Sequence, residues 1–308
     1  MTDTPTDTRR NGPRPPYSRG GRGAVVGWLF ITPALLFYGL FVLIPIGITV
    51  YYSLLRWNGI GAQQFRGLSN YITVLTEPDL LQTIGNAFQL VLYFTILPVG
   101  IGLGVAQLIR NHLNGRFGTT ARTVLFIPQV IPLVAAGIAW SWMLSTNGAF
   151  NQLLHLIGLG SWARGWLGEF DYALPAVGII GAWVLLGLCT MLLVTGIAKI
   201  DPSLYEAAKL DGASTWDEFR YITVPGLRQE IGVCVTVTVI AALASFDIVY
   251  IATGGGPGQT TTVPGLEIYR LAFAHRQVGL ASALAVVLMI LVVVCILPIQ
   301  WAMREPRK

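Results

Sequence analysis

The chain has 308 residues, of which 54% are hydrophobic and only 11% are charged, and its mean hydropathy is +0.63. Soluble domains usually carry about 25% charged residues, so this composition excludes an ordinary soluble protein and a disordered chain. The net charge of +5 would suit nucleic-acid binding, but in a membrane protein it follows from topology.

Long apolar stretches recur along the chain. A membrane-spanning helix needs about 20 mostly apolar residues. Such stretches lie at 23–55, 80–109, 122–144, 172–198, 231–252 and 278–303. They predict an all-α membrane protein with six transmembrane helices. Prolines inside them, such as Pro98 and Pro132, are tolerated in lipid and are expected only to kink the helices.

The basic residues predict the orientation of these helices. With the N-terminus inside, 15 of the 20 Lys and Arg residues fall in cytoplasmic segments and 5 in external ones. This predicts a multi-pass protein of the cell membrane with both termini in the cytoplasm, and no nucleic-acid partner. Residues 1–22 are predicted to be a disordered cytoplasmic tail, 23–303 the membrane domain and 304–308 a cytoplasmic end.

Signatures of enzymes and of metal sites are missing from the sequence. No G-x-x-x-x-G-K-[ST] motif occurs, and the glycine-rich stretch at 254–258 has no lysine after it and is interpreted as an external turn. The three histidines are isolated, and the three cysteines are scattered through apolar runs. We therefore expect no catalytic residue, no metal site and no enzymatic activity in this chain.

The longest polar segment between predicted spans, residues 199–230, is predicted to contain two short helices. Asp201-Pro202 is typical of a helix start, and Asp211-Gly212 of its end. Ser214 or Thr215 can cap the second helix, with Glu218 completing a capping box if Thr215 is the cap. Pro225 is expected to end the unit.

The second of these helices carries apolar side chains on one side. Trp216, Phe219 and either Ile222 or Thr223 are spaced three or four residues apart, which places them on one helix face. Three interpretations remain open from the pattern alone. The face docks on another protein, lies in the lipid interface, or packs beneath the protein's own helices.

The same segment resembles a known family. Glu206-Ala207-Ala208, Asp211-Gly212-Ala213, Phe219 and Pro225 have the residues and spacing of the EAA loop of bacterial ABC-importer permease subunits. Three further segments resemble permeases of the maltose and glycerol-phosphate branch, which takes up carbohydrates. They are 65–71 (FRGLSNY), 122–143 and 246–257 (FDIVYIATGGGP). The resemblance covers about residues 24–303.

The resemblance implies a type I ABC-importer permease fold, the inner membrane component of a binding-protein-dependent system in a bacterial plasma membrane. It implies as partners a second homologous permease, two cytoplasmic ATPase subunits and an external substrate-binding protein. ATP and magnesium would be bound by the ATPases, and this chain would hold no cofactor. Residues 199–230, called here the coupling loop, would dock on an ATPase through Glu206, Ala207, Ala208, Asp211, Gly212, Trp216, Phe219 and Pro225.

Polar and aromatic residues inside the predicted spans are candidates for the substrate pathway, because polar groups are costly there and aromatic rings suit sugar faces. They are Trp140, Trp183, Thr238, Ser245, Asp247 and Tyr250. Thr238 and Ser245 are expected to share a helix face. Each candidate also has a structural interpretation. Asp247 can be an acceptor for the glycine-rich turn, the tryptophans can lie at the lipid interface, and the hydroxyls can bond their own helix.

The sequence therefore predicts the permease subunit of an ATP-driven carbohydrate importer, with an oligosaccharide favoured as substrate. One alternative is an ABC permease for a non-sugar solute such as glycerol phosphate, an amino acid or a peptide. Another is a stand-alone secondary transporter, which would need ionisable relays across several spans and no coupling loop.

Overall fold

The computed structural model describes the backbone of residues 21–112 and 116–303, with side chains from 28 to 111 and from 118 to 303. The predicted cytoplasmic end, and the predicted tail except for residues 21 and 22, lie outside these ranges. Across the described residues the chain is predominantly α-helical, which confirms the predicted class.

The helices up to the middle of the chain are α1 (Gly21–Tyr38), α2 (Ile44–Ser53), α3 (Ser69–Thr76), α4 (Pro78–His112), α5 (Arg116–Val130), α6 (Leu133–Met143), α7 (Ala149–Leu156) and α8 (Ala173–Ile197). They are followed by α9 (Pro202–Leu210), α10 (Thr215–Glu218), α11 (Val224–Gly226), α12 (Arg228–Leu243), α13 (Asp247–Ala252), α14 (Pro264–Tyr269) and α15 (Val278–Ala302). Two short strands, β1 (Leu55–Arg56) and β2 (Gln64–Phe65), pair antiparallel.

Single turns of other helix types join or extend these elements. Gly39–Leu43, Phe219–Thr223 and Arg270–Ala274 are π-helical, and Gly160–Trp162 is a 3-10 turn.

Four helices of the described chain are long and apolar enough to cross a membrane by themselves: Trp28–Ser53, Pro78–Asn111, Ala173–Ile197 and Val278–Ala302. Two bent pairs of helices also qualify, which gives six candidate spans if each pair counts as one. These bent pairs correspond to the third and fifth predicted spans.

The third predicted span, 122–144, is not one continuous helix. Helix α5 ends at Val130, and α6 starts at Leu133 with its axis bent by 98°. Pro132 lacks an amide hydrogen and has extended geometry, with ψ at 136°, so the helical hydrogen-bond ladder stops there. The expectation that this proline only kinks the helix was therefore wrong.

The fifth predicted span, 231–252, is also interrupted. Helix α12 ends at Leu243, and α13 begins at Asp247 after Phe246, whose φ of −141° is not helical. A bend of 70° lies just before the predicted span, between 215–226 and α12. Thr238 and Ser245 consequently do not share a helix face, because Ser245 lies beyond the end of α12.

The chain divides into two compact units, 1–48 and 49–308. In the first unit none of the described side chains, 28–48, is buried, although most of them are apolar. Such an apolar helix surface suits contact with lipid or with a partner helix.

In the second unit, α8 is the central helix, with most of its residues buried and with α4, α5 and α12 packed around it. Glycines allow this close approach. A Cβ on Gly181 would lie 2.0 Å from the ring of Phe94 in α4, and one on Gly187 would lie 2.3 Å from the carbonyl oxygen of Leu125 in α5. The absence of a side chain at Gly181 and Gly187 therefore lets α8 lie this close to α4 and α5.

Candidate functional site

The coupling loop begins as its sequence predicted. Asp201 caps α9, and its Oδ1 accepts a hydrogen bond from the backbone amide of Ser203 at 2.9 Å, with Pro202 at the first helical position. This hydrogen bond lowers the pKa of Asp201, because it stabilises the ionised carboxylate. The start of α9 is thus fixed by three consecutive residues.

The predicted break at Asp211-Gly212 is confirmed as well. Helix α9 ends at Leu210, and Gly212 has a φ of +80°, a conformation that glycine adopts without strain. The amide of Ala213 then closes the turn on the carbonyl of Ala208 at 2.9 Å. Glu206 and Ala207 of the EAA sequence are exposed, and Ala208 is half-buried.

The second helix of the coupling loop, α10, is capped by Ser214. The Ser214 hydroxyl accepts from the amide of Asp217, and the Asp217 carboxylate accepts from the Ser214 amide at 3.0 Å. The hydrogen bond from the Ser214 hydroxyl to the Asp217 carboxylate stabilises the ionised form and so lowers the pKa of Asp217. Of the two caps that the sequence allowed, Ser214 is the one observed, so the capping box that required Thr215 with Glu218 does not form. Glu218 is instead buried.

An aromatic pair at the surface is formed by Trp216 of α10 and Phe219, the first residue of the π-helical turn that follows. The rings of Trp216 and Phe219 lie 5.4 Å apart, with Trp216 65% exposed and Phe219 half-buried. Thr223 is buried, so only part of the predicted face reaches the surface. Pro225 is exposed inside the short helix α11, which ends one residue later at Gly226. The chain then bends by 70° before α12, so the unit ends close to the predicted proline.

A second candidate site is a cavity of about 300 Å³ where the two interrupted spans meet, called here the membrane cavity. Its polar lining residues are Gln129 of α5 and Ser245 and Asp247 from the break between α12 and α13. Phe94 and Phe246 contribute aromatic surface. The breaks in the third and fifth spans thus bring polar groups to one cavity.

Asp247 is exposed and forms no hydrogen bond or ion pair with the residues that the structure describes. It is therefore available to a ligand. The glycine-rich loop, defined here as residues 253–262, is held by other groups. The Arg270 guanidinium donates to the carbonyl of Gly254 and, at 3.3 Å, to Oγ1 of Thr262, while the Asn86 amide donates to the Thr262 carbonyl at 2.8 Å.

The remaining predicted pathway residues lie apart from this lining. Thr238 is fully buried, within hydrogen-bond distance of Oγ1 of Thr95 (3.0 Å) and of the carbonyl of Val235 (3.1 Å). Trp140 and Trp183 pack edge to face with centroids 5.5 Å apart, and both are only partly exposed. Thr238 joins α12 to α4, and the tryptophans join α6 to α8.

Tyr250 belongs to a row of aromatic rings. Phe246 stacks on Tyr250 at 5.3 Å, Tyr250 contacts Tyr269 at 5.8 Å, and Tyr269 contacts Phe273 at 5.3 Å. Sequence reasoning missed Tyr269 and Phe273, because they lie in the external segment before α15, where no span was predicted. Their spacing of four residues was the available signal.

Gln129 was also missed. Its Oε1 is buried and has no hydrogen-bond partner among the described residues. An unpaired buried acceptor is costly, so this oxygen is suited to a donor supplied by a ligand. The signal was an amide between two prolines of an apolar stretch. No cluster of His, Cys, Asp and Glu able to hold a metal occurs in the described part of the chain.

Residues 96–307 match the family described as "Binding-protein-dependent transport system inner membrane component". The chain belongs to this family. This membership establishes a transport permease and a multi-pass protein of the inner membrane that works with a binding protein, and it agrees with the resemblance seen in the sequence.

Two curated relatives of this permease have been compared with it in sequence. The probable ABC transporter permease protein YurN of Bacillus subtilis is 35% identical over 87% of this chain and 92% of its own. The trehalose/maltose transport system permease protein MalF of Thermococcus litoralis is 34% identical over 88% of this chain and 91% of its own.

A solved structure has the same fold. A chain of the bacterial alginate ABC transporter in complex with an alginate pentasaccharide-bound periplasmic protein superposes with a TM-score of 0.78, covering 92% of this permease and 95% of that chain at 20% identity. The predicted importer-permease fold is therefore confirmed.

Proposed function

We propose that this permease is the membrane subunit of an ATP-driven importer of carbohydrate, with oligosaccharides as the substrate class. It would form the translocation pathway together with a second homologous permease. Two cytoplasmic ATPase subunits would bind ATP and magnesium, and an external binding protein would deliver the substrate. Relatives named for trehalose and maltose uptake support the substrate class.

The observation that carries the proposal is the exposed Trp216, with the half-buried Phe219 beside it, on a helix whose start is fixed by the Ser214–Asp217 capping box. Aromatic anchors often dominate protein interfaces, and a transporter without an ATPase would have no use for such a rigid projection. We assign it to ATPase docking together with Glu206, Ala207, Ala208, Asp211, Gly212 and Pro225.

The excess of basic residues in the predicted inner loops supports an orientation with both termini and the coupling loop in the cytoplasm. On ATP binding, closure of the ATPases would push on α10, and the membrane domain would change from inward-facing to outward-facing. Because α9 and α10 are capped at their starts, their first turns would stay helical, and movement of the ATPases would displace the helices without unfolding their ends.

The substrate pathway is assigned to the membrane cavity and the aromatic row beside it. Sugar rings have apolar faces that stack on aromatic side chains and hydroxyl edges that hydrogen-bond to amides and carboxylates. The Gln129 oxygen and the Asp247 carboxylate would accept hydrogen bonds from hydroxyls, and Ser245 could donate one. Among the described residues that line the cavity, Asp247 is the only charged one. This disfavours glycerol phosphate, since the carboxylate would repel a phosphate.

Purification of the tagged permease in mild detergent from its native membrane tests the proposal. We expect an ATPase, a second permease and a bound saccharide, identified by mass spectrometry, and ATP-dependent saccharide uptake after reconstitution with the binding protein. Uptake by this permease alone without ATP would support a secondary transporter. Transport of an amino acid or a peptide would leave the ABC assignment intact and overturn the substrate class.

A further inference from the structure

An ion pair with one buried partner joins the coupling loop to the C-terminal end of α4. Glu218 in α10 is only 4% exposed, and its Oε2 lies 3.6 Å from Nη1 of Arg110. The Arg110 guanidinium also lies over the ring of Tyr205 in α9, with Cζ 3.2 Å from the ring centroid. Without Arg110 the buried Glu218 carboxylate would be left uncompensated, so this arrangement fixes α9 and α10 against α4.

One turn earlier on α4 there is a second attachment. The hydroxyl of Tyr205 donates to Oγ1 of Thr223 at 3.1 Å, and Thr223 donates to Oε1 of Gln107 at 3.0 Å. All three side chains are buried. Consequently three segments are attached to the C-terminal end of α4. Helix α9 is attached through Tyr205, α10 through Glu218, and the π-helical turn after α10 through Thr223.

The opposite end of α4 is fastened to the glycine-rich loop, where Asn86 donates to the carbonyl of Thr262. Between the two ends, Thr95 contacts Thr238 of α12. Residues 86 and 110 are 24 positions apart in one helix, which corresponds to about 36 Å at 1.5 Å per residue. Helix α4 is therefore a continuous connection from the coupling loop to the glycine-rich loop.

Within the described residues the coupling loop has one other side-chain ion pair, Lys199 with Glu230, at 3.0 Å. Glu230 lies in the first turn of α12 and still inside the coupling loop, so this pair does not reach α4. Lys199 is 69% exposed, and ion pairs with an exposed partner contribute little. The buried cluster on α4 is thus the stronger of the two attachments.

We infer that Arg110, Glu218 and Tyr205 form a clamp that makes the coupling loop and α4 move as one body, so that force applied at α10 reaches the glycine-rich loop through α4. These are positioning residues, since they act through α4. The inference rests on the proposed function, because it requires an ATPase at α10.

Glu218→Gln in the fully assembled transporter, reconstituted in liposomes, tests the clamp. It keeps the size of the side chain and removes the charge that pairs with Arg110. We expect ATPase subunits to remain bound and to hydrolyse ATP, while saccharide uptake per ATP hydrolysed falls at least about fivefold, the lower end of typical coupling between sites. Lys199→Gln is the matched control and should leave this ratio unchanged.

Arg110→Gln and the double variant complete a cycle. If the two charges act as one clamp, the double variant should lose no more coupling than either single variant. Additive losses would overturn the clamp. An unchanged ratio in Glu218→Gln would also overturn it, and so would loss of the ATPase from the purified complex, which would place Glu218 in the docking surface. A wild-type complex that neither holds an ATPase nor transports saccharide would instead refute the proposed function.

A distance measurement gives a readout that loss of stability would not mimic. Spin labels at Leu210, which is 89% exposed, and at Leu108 on α4 report on the two sides of the clamp. Their separation should be the same with and without ATP in the otherwise wild-type complex, and should broaden or shift with ATP in Glu218→Gln. A nucleotide-dependent change in the wild-type background would overturn the inference. Arg110→Gln, which removes the other charge of the pair, replaces Glu218→Gln in this measurement if the Glu218→Gln permease itself does not fold.

Discussion

The coupling loop and the glycine-rich loop are both connections between helices and both contact α4, but they differ in what they leave exposed. Short-range hydrogen bonds fix the helix starts in the coupling loop, and Trp216 is left exposed on its surface. In the glycine-rich loop, Thr261 and Thr262 are fully buried, and bonds from Asn86 and Arg270 come from elsewhere in the chain. The comparison indicates that the first is built to meet a partner and the second to stay in place.

Replacing Trp216 with Ala should have the largest effect. Loss of a central aromatic anchor typically costs about 2 kcal/mol or more, so the dissociation constant for the ATPase should rise about 30-fold. Binding measured between the purified ATPase and the permease in nanodiscs checks this. Trp162→Ala is the control, because Trp162 has a similar exposure of 61% in another loop and should leave binding unchanged. Wild-type binding by Trp216→Ala would remove this helix from the docking surface.

Asp247→Asn should lower saccharide uptake about tenfold, because a hydrogen bond to a charged group contributes about 1.5–3 kcal/mol. Assembly should be unaffected, since Asp247 has no partner among the described residues. Uptake and subunit composition are measured on the same preparation. Asp171→Asn changes an exposed acid in a loop and should transport normally. Normal uptake by Asp247→Asn would exclude the carboxylate from the substrate pathway.

Asn86→Ala should destabilise the glycine-rich loop by about 1–3 kcal/mol, because the buried carbonyl of Thr262 loses its donor. Thermal unfolding in detergent, followed by circular dichroism, should show a lower Tm. Gln152→Ala removes an amide that donates to the carbonyl of Asn147 at an exposed position and should cost much less. Equal shifts in the two variants would contradict the stabilising role assigned to the buried Asn86 bond in the glycine-rich loop.

Ser214→Ala should have the smallest effect, about 1 kcal/mol, confined to α10. Because the Ser214 hydroxyl lowers the pKa of Asp217, its loss should raise that pKa toward the ordinary value. A lowered carboxyl pKa contributes stability at neutral pH that is lost as the pH falls through it. Hydrogen exchange at the Asp217 amide should be faster in Ser214→Ala than in Ser203→Ala at neutral pH, and the difference should shrink in acid.

Local sequence signals predicted much of this permease correctly. Apolar stretches located the helical spans, and Asp201-Pro202 and Gly212 marked the ends of α9, because capping and a positive φ depend on residues adjacent in the chain. The same reasoning failed at Pro132 and at Phe246. A proline or an apolar run is compatible with both a kink and a break, and neighbouring helices decide between them.

The sequence by itself determined the class of the protein and the composition of the coupling loop, because hydropathy and helix capping are properties of nearby residues. Only the tertiary structure decided that Gln129 and Asp247 share a cavity and that Glu218 is buried against Arg110. Glu218 is separated by more than 100 residues from its partner, and hydrophobic packing of α4 against α8 places the two together. Side-chain contacts at such separations leave no periodic pattern in a single sequence.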